Sequence, residues 1–389
     1  MTRVAVIGGG AAGLTAAITA AKNGAKVTVL ERMERVGKKI MATGNGRCNL
    51  ANNELDLSHY RGDERFISQV FHQVGLEEIL DFFREIGLLV RTEQGRIYPL
   101  SNHASAVLDV LRNEAERCGV TIKTDFDVKS VCPRSEGLVI QGKYETLVCD
   151  KLIIATGGKA SPAHGSNGSG YDILSSLGHH TTKLYPGLVG VKCPSEQMKG
   201  LRGVRVFAKA TLLLDGQPYR SEIGEIQFND TGLSGIPILN CSSVVTSYKG
   251  EAEIELDLLP DEEDVLDLLQ ERDRKHLFTG MFHKQIGQSL CDRTWVPVQS
   301  IQTVDLPSLA KEMKAMRFTV IGTLPWENAQ VTVGGAKTSE FQLGTLESLL
   351  LPGLYAAGEI LDVDGDCGGY NLMWAWASGM VAGQEAANA

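Results

Sequence analysis

The feature that most limits what this chain can become is Gly8-Gly-Gly-Ala-Ala-Gly13, placed directly behind the apolar run Arg3-Val-Ala-Val-Ile7. Residues 11–23 are rich in Ala, Leu and Ile and read as a helix ending at Gly24, and 26–30 is a second apolar strand. Strand, glycine turn, helix and strand make a complete βαβ unit. In that setting Gly8 permits the tight turn, Gly10 lets backbone reach a pyrophosphate, and Gly13 lets helix and strand pack closely. The helix start presents free N–H groups and a positive dipole end to phosphates. Glu31 closes the second strand, where it is expected to accept hydrogen bonds from an adenosine ribose.

A chain of 389 residues exceeds the roughly 250–300 that one core supports, so two or three domains are expected. Short apolar strands are expected at 121–124, 126–132, 137–141, 145–148 and 151–155, with helices over 66–87 and 104–118, the latter capped by Ser101. Beyond about Tyr185 the pattern changes. Residues 204–214, 222–228 and 251–258 alternate like half-buried strands, 260–291 turns helical and charge-rich, and 298–303 and 318–322 read as strands again. At 353–359 a strand runs into glycine as at Gly8, and 368–387 is a glycine-led helix. The expected fold is α/β: a Rossmann-type domain (1–186 and 324–389) interrupted by a β-rich, barrel-like domain (187–260 and 297–323) and a small helical domain (261–296).

Composition narrows the function. A formal net charge of −9 argues against nucleic acid, which needs a basic face, and against docking on anionic lipid. The 43 glycines are well above the usual ~7% and concentrate in a few motifs, as expected where backbone approaches a ligand. Eight cysteines occur singly, never as CxxC, so free thiols are expected instead of disulfides or a redox pair. No His/Cys/acid cluster has ligand spacing, so no metal is expected. A strand begins at Arg3 with no signal segment before it, and no apolar run reaches about 20 residues, so the cytoplasm is the expected location.

Other segments say which dinucleotide. Residues 37–49 follow the second strand with glycines and backbone amides suited to an anion, and with Lys38, Lys39 and Arg47 as sources of positive charge. The strand ending Ala155-Thr-Gly-Gly158 and the run Leu354-Tyr-Ala-Ala-Gly-Glu359 match two further elements of two-dinucleotide-binding-fold flavoproteins. The last helix begins at 368–372, where amides can point at the flavin N1–C2=O edge and stabilise charge that builds up on reduction. FAD is the expected cofactor, held non-covalently. The expected contacts from these segments are Gly8, Gly10, Ala11, Ala12 and Gly13; Glu31 and Arg32; Lys38, Lys39, Thr43, Arg47 and Cys48; Ala155 and Thr156; and Gly358, Glu359 and Gly369.

The blocks GGGAAG, GKKIMATGNGRCNLAN, GRIYP, ATGG, GSNGSGY, LYAAGE and GGYNLMWA are collinear over residues 3–383, and the whole resembles the bacterial aminoacetone oxidase-type flavoproteins, a family with members described as bile-acid reductases. The resemblance implies an FAD domain with an inserted barrel-like domain and a small helical domain. It also implies FAD contacts at Gly44, Asn49, Gly157, Asn371 and Leu372, and adenine held by backbone at Val128. The run Gly165–Tyr171 is similar to a loop near the flavin of fumarate reductase-type enzymes, but Ser169 stands where those carry an acid.

The chemistry expected is hydride transfer between a small organic substrate and flavin N5, in a cleft between the FAD and inserted domains. Arg47, Tyr98, His164, Tyr185 and Tyr370 are the candidate groups lining it, none singled out as acid or base. The residues leave an oxidase passing electrons to oxygen and a reductase taking them from NADH or NADPH both open, the latter for an enone-like steroid or bile-acid acceptor. A non-catalytic flavin-binding accessory protein is the third reading. No second GxGxxG follows a later strand, so no separate nicotinamide domain is expected.

Overall fold

Five short parallel strands, whose inner members are mostly apolar and buried, form the sheet that carries the glycine motifs. Their spatial order is Leu354–Ala356, Lys151–Ile154, Arg3–Ile7, Lys26–Leu30, Thr121–Lys123. Val6 pairs with Ile153 on one side and Val29 on the other, and Leu152 pairs with Leu354. A strand from the far end of the sequence thus completes a sheet begun at its start. The computed structural model describes residues 1–294 and 305–388. They divide into two units: Met1–Tyr185 with the chain from Val331 onward, and Pro186–Gln330.

In the first unit the helix Ala11–Lys22 lies against the terminal helix Tyr370–Asn388 along a seam of small residues. A Cβ on Gly379 would sit 2.5 Å from the carbonyl oxygen of Ala12, and one on Gly383 would sit 2.3 Å from that of Ala16. Only glycine allows this approach. Helices Glu64–Gln73 and Leu76–Glu85 pack on the terminal helix, and Ala104–Arg117 packs on the first. The hairpin Val90–Glu93/Arg96–Pro99 pairs with Ala51–Asn52, and Tyr60–Gly62 pairs antiparallel with Val363–Gly365. Asp63 caps the helix at 64, accepting from the Phe66 amide.

In the second unit seven antiparallel strands follow the order 316–319, 252–257, 205–214, 217–228, 232–234, 191–192, 322–323. The two ends of that order, Met316–Thr319 and Gly322–Thr323, are consecutive in the chain. The expected single strand at 318–322 is therefore bent at Val320 and Ile321, and the sheet turns back on itself like a barrel. The helical stretch resolves into Val265–Gln270, a turn at Arg274–His276 and Lys284–Arg293. Leu269, Leu277, Ile286 and Leu290 share one core with Leu212, Ile226, Ile254 and Phe318 of the sheet.

Two expectations need correction. The strand expected at 126–132 begins only at Ser130. The Phe126 amide donates to Glu31 O and that of Asp125 to Met33 O, tying this stretch to the end of the second strand; Val128 lies in irregular backbone. The helix expected to be capped by Ser101 is preceded by His103, and the Ser101 hydroxyl accepts from the His103 amide instead. The strand expected at 298–303 lies outside the described residues. Among the described residues no helix is long and apolar enough to cross a membrane.

Candidate functional site

The phosphate turn has the geometry its glycines require. Gly8 has φ +105°, and a Cβ there would meet Ala155 O at 2.4 Å; one on Gly13 would meet Gly8 O at 1.8 Å. Gly10 differs: a Cβ there has nothing within 4 Å. Gly10 also precedes the first helix with no side chain capping it, so the amides of Ala11, Ala12 and Gly13 begin the helix bare. The structure keeps Gly8 and Gly13 small for its own packing and Gly10 small for no internal reason.

Glu31 is buried at 8% exposure, and backbone holds both its carboxylate oxygens. Oε2 accepts from Gly9 N at 2.7 Å and Oε1 from Met33 N at 2.9 Å. Each oxygen keeps a lone pair for a ribose hydroxyl. Gly165 packs beside Met33, and Arg32 donates to Gly165 O at 3.3 Å. His164, next in that loop, has a buried Nδ1 with no hydrogen-bond partner.

The loop from Gly37 is built from left-handed backbone: Gly44, Asn45, Gly46 and Cys48 all have φ between +55° and +84°. This curls it so that the amides of Arg47 and Cys48 donate inward, to Gly44 O and Thr43 O. Those two amides are spent within the loop, as is the Thr43 hydroxyl, which donates to Ile40 O at 2.6 Å. The Cys48 thiol is fully buried, and burial pushes it up to about 12, so it is inert. Asn49 is the opposite case: its Oδ1 is buried without a hydrogen-bond partner, an acceptor that suits a ribityl hydroxyl.

All three expected cations have acidic partners. Lys38 pairs with Glu34 at 3.1 Å, on the outside. Lys39 reaches Glu359 at 2.5 Å, whose other oxygen accepts from Thr332 N at 2.9 Å. Arg47 donates to Asn102 at 2.6 Å and Glu93 at 2.8 Å and lies 4.1 Å over the ring of Tyr98. Lys39 joins two motifs more than it supplies free charge, and Arg47, Arg91, Glu93 and Asn102 form one hydrogen-bonded cluster over the buried ring of Tyr98.

The terminal helix is tied to both glycine motifs. Gly358 N donates to the Ser378 hydroxyl at 2.9 Å, Gly358 O accepts from the Trp374 indole at 3.2 Å, and a Cβ on Gly358 would strike Ala12 at 2.7 Å. Trp376 donates to Leu50 O at 3.0 Å, and Gly369 lies against the backbone of Ala51. The segments 8–13, 47–52, 357–359 and 368–376 therefore meet. Gly368 and Gly369, with φ +133° and +106°, lead into the helix, whose first turn holds no acid. The Asn371 side chain is occupied, closing the 365–366 turn by bonds to the N and O of Gly365. What remains at Tyr370, Asn371 and Leu372 is the start of the helix, with no acid in its first turn. Gly157, φ +69°, lies between Ser166 and Glu359 at the exit of its strand. Tyr185 ends the first segment of this unit, with the Lys183 ammonium 5.0 Å over its ring.

A charged group beside that helix start has no sequence motif. Arg61 bonds Asp364 at 2.8 Å through Nε and Asp366 at 2.8 Å through Nη1, and His59 Nδ1 lies 3.1 Å from Asp366 Oδ2. Both carboxylates are nearly sealed, at 3% and 2% exposure. Burial pushes Asp364 up to about 6, with Arg61 pulling the other way. The His59 ring stacks on Tyr370 with 4.3 Å between centroids. Burial also raises the Tyr370 phenol to about 12. The strands holding these residues are three residues each, too short to leave a periodic pattern; the one available signal was the i, i+2 spacing of Asp364 and Asp366. Among the described residues no cluster of three or more His, Cys, Asp or Glu is arranged to hold a metal ion.

A parallel sheet with an uncapped helix start behind its first strand, an acid at the end of its second strand and a returning glycine-led helix fits a flavoprotein oxidoreductase of the Rossmann type. The chain belongs to the HI0933-like Rossmann family, whose model matches residues 2–385. It is 39% identical over 406 residues to a 3-dehydro-bile acid delta(4,6)-reductase of Clostridium scindens, covering 100% of this chain and 99% of the relative. It is 29% identical over 395 residues to the ribosomal RNA dihydrouridine synthase of Escherichia coli, covering 98% and 96%. The fold is shared with the open conformation of a flavocytochrome c3 fumarate reductase (TM-score 0.53, 19% identity, 100% of this chain and 78% of that one). It is also shared with a 3-ketosteroid-delta4-(5alpha)-dehydrogenase of Rhodococcus jostii RHA1 (TM-score 0.51, 17% identity, 99% and 97%).

Proposed function

We propose that this protein is a reductase that holds FAD non-covalently and saturates a carbon–carbon double bond conjugated to a carbonyl, drawing electrons from NADH or NADPH. The observation that carries the FAD reading is the uncapped helix start at Ala11 and the glycine-led helix start at Tyr370, joined through Gly358, beside a Gly10 whose Cβ position is open. The residues fit the cofactor. The amides of Ala11–Gly13 and the dipole behind them would hold the diphosphate. Glu31 would accept from the ribose and Asn49 Oδ1 from a ribityl hydroxyl. The amides of Tyr370, Asn371 and Leu372 would donate to the pyrimidine edge of the ring, where negative charge gathers on reduction. The Lys39–Glu359 pair would fix the loop against the returning strand. Bound there, FAD supplies hydride transfer at N5.

The choice of reductase over oxidase leans on what the relatives' names have in common. A delta(4,6)-reductase of a 3-dehydro bile acid and a dihydrouridine synthase both saturate a double bond conjugated to a carbonyl. Such a bond is electrophilic at its β-carbon, which takes hydride, and its α-carbon then takes a proton. The steroid-like substrate is favoured over RNA by the higher identity of the first relative and by the net charge of −9.

Anaerobic spectroscopy of the purified protein tests this. The expected result is a yellow protein that NADH or NADPH bleaches and a 4-en-3-one steroid re-oxidises. Re-oxidation by a uridine-containing ribosomal RNA fragment alone would move the substrate class to RNA. Bleaching by a small amine, with peroxide on re-aeration, would establish the oxidase instead. A protein that releases no flavin on heating would end the cofactor reading.

A further inference from the structure

Saturating a conjugated double bond takes a hydride and a proton, and the cofactor motifs account only for the first. Among the side chains around the terminal helix start, most polar groups are committed. Tyr60 donates its hydroxyl to Tyr370 O at 3.0 Å, Asn371 closes its turn, and Arg61 is divided between two aspartates. His179 is buried with both ring nitrogens bonded, to Glu340 and Ser348, and His180 also bonds Glu340. His164 lies beside Gly165 and so near Glu31, at the adenosine end.

His59 is different. Its Nδ1 faces a carboxylate that can only accept, so that nitrogen carries the hydrogen. Its Nε2 makes no hydrogen bond among the described residues, and 28% of the side chain is exposed. Stacking on Tyr370 and the bond to Asp366 fix the ring at the first turn of the terminal helix, since the Asp366 carbonyl accepts from Asn371 at 3.3 Å.

We infer that His59, oriented by Asp366, is the proton donor to the substrate α-carbon, a role that rests on the reductase reading above. The β-carbon accepts the hydride. In the doubly protonated ring the Nε2–H bond breaks as a C–H bond forms at the α-carbon, Nδ1 keeps its hydrogen toward Asp366, and the double bond is lost. Water returns the proton to the imidazole, and NADH or NADPH supplies the electron pair.

The test uses the flavin-loaded protein and a 4-en-3-one steroid in D2O. His59→Phe keeps a ring on Tyr370 without a nitrogen. It is expected to slow re-oxidation of the reduced flavin about 100-fold or more, while bleaching by NADPH stays within about threefold. Wild type should place solvent deuterium on one face of the α-carbon and the variant on both, which a merely structural role would not change. Should His59→Phe fail to retain flavin, His59→Gln replaces it with the same expectations. Re-oxidation within about threefold of wild type, with facial selectivity intact, would overturn the assignment. An independent readout is the 15N spectrum of histidine-labelled protein. The signal missing from the His59 variant should show hydrogen on Nδ1 in the neutral ring and lose that preference in Asp366→Asn. A neutral ring protonated on Nε2 refutes the dyad whatever the turnover. If wild-type flavin is re-oxidised by no conjugated enone, the reductase reading falls and the proton-donor role with it, while the spectrum still reports the dyad itself.

Discussion

Helices begin differently in the two units. In the second unit, Asp264 caps the helix at 265, Asp273 the turn at 274, and His283 the helix at 284, each accepting a backbone amide with its side chain. Its helices at 236 and 306 lack a side-chain cap but carry a proline in the first turn, which removes one amide from the account. In the first unit, Asp63 and Glu78 cap the helices at 64 and 76 in the same way. The helices at 11, 38, 104 and 169 have no side-chain cap, and those at 11 and 370 follow Gly10 and Gly369 with no acid in the first turn. A cap contributes about 1 kcal/mol. Leaving the helix at 11 without one, where Gly358 meets Ala12, keeps donors for something other than the protein.

The contrast can be broken most severely at Gly13. Gly13→Ala puts a methyl 1.8 Å from Gly8 O, so the first helix cannot stay on its strand. The expected cost is about 3 kcal/mol or more, seen as a large drop in melting temperature with and without flavin. Gly10→Ala should separate stability from binding. With nothing within 4 Å of the new methyl, apo stability should change by less than about 1 kcal/mol. FAD affinity, measured by fluorescence titration, should fall about 100-fold, roughly 2.7 kcal/mol. An equal loss of apo stability at Gly10 would show that its openness serves the fold.

Charge sharpens the comparison next. The second unit keeps ion pairs such as Arg205–Glu225 on its surface, where screening leaves them little effect. The first unit buries Asp364, whose ordinary value of 3.8 rises to about 6. Between those values the folded state holds a proton that the unfolded chain has released. Stability should therefore fall as pH rises from about 4 to about 6, by about 2 kcal/mol. Denaturant melts across that window should show the slope, and Asp364→Asn should remove it. The smallest effect is expected at Asp264→Ala, which removes a cap from the second unit: about 1 kcal/mol of stability and no change in flavin content.

Much of this was legible in the sequence because glycine and β-strand chemistry are local. Residues 3–31 announced strand, turn, helix, strand and acid, and the structure has them at Arg3–Ile7, Ala11–Lys22, Lys26–Leu30 and Glu31. The alternating run at 204–214 became a strand at Arg205–Leu214. What stayed hidden depends on partners distant in the chain. Lys39 read as a cation for phosphate until Glu359 was found beside it, 320 residues on. The Arg47 and Cys48 amides read as donors, but the left-handed turns at Gly44 and Asn45 direct them inward. His59, Arg61, Asp364 and Asp366 escaped notice because pairing of two three-residue strands unites them.

The glycine seam between the first and last helices also sets a sequence of events. A ribosome that has made everything through Gln330 has produced the phosphate turn and its acid. It has not yet made the strand that completes the sheet at Leu354 or the helix that packs on Ala12 and Ala16. Cofactor capture should therefore wait for that returning strand and helix, and a chain cut short before Gly379 should be colourless however well its beginning has folded.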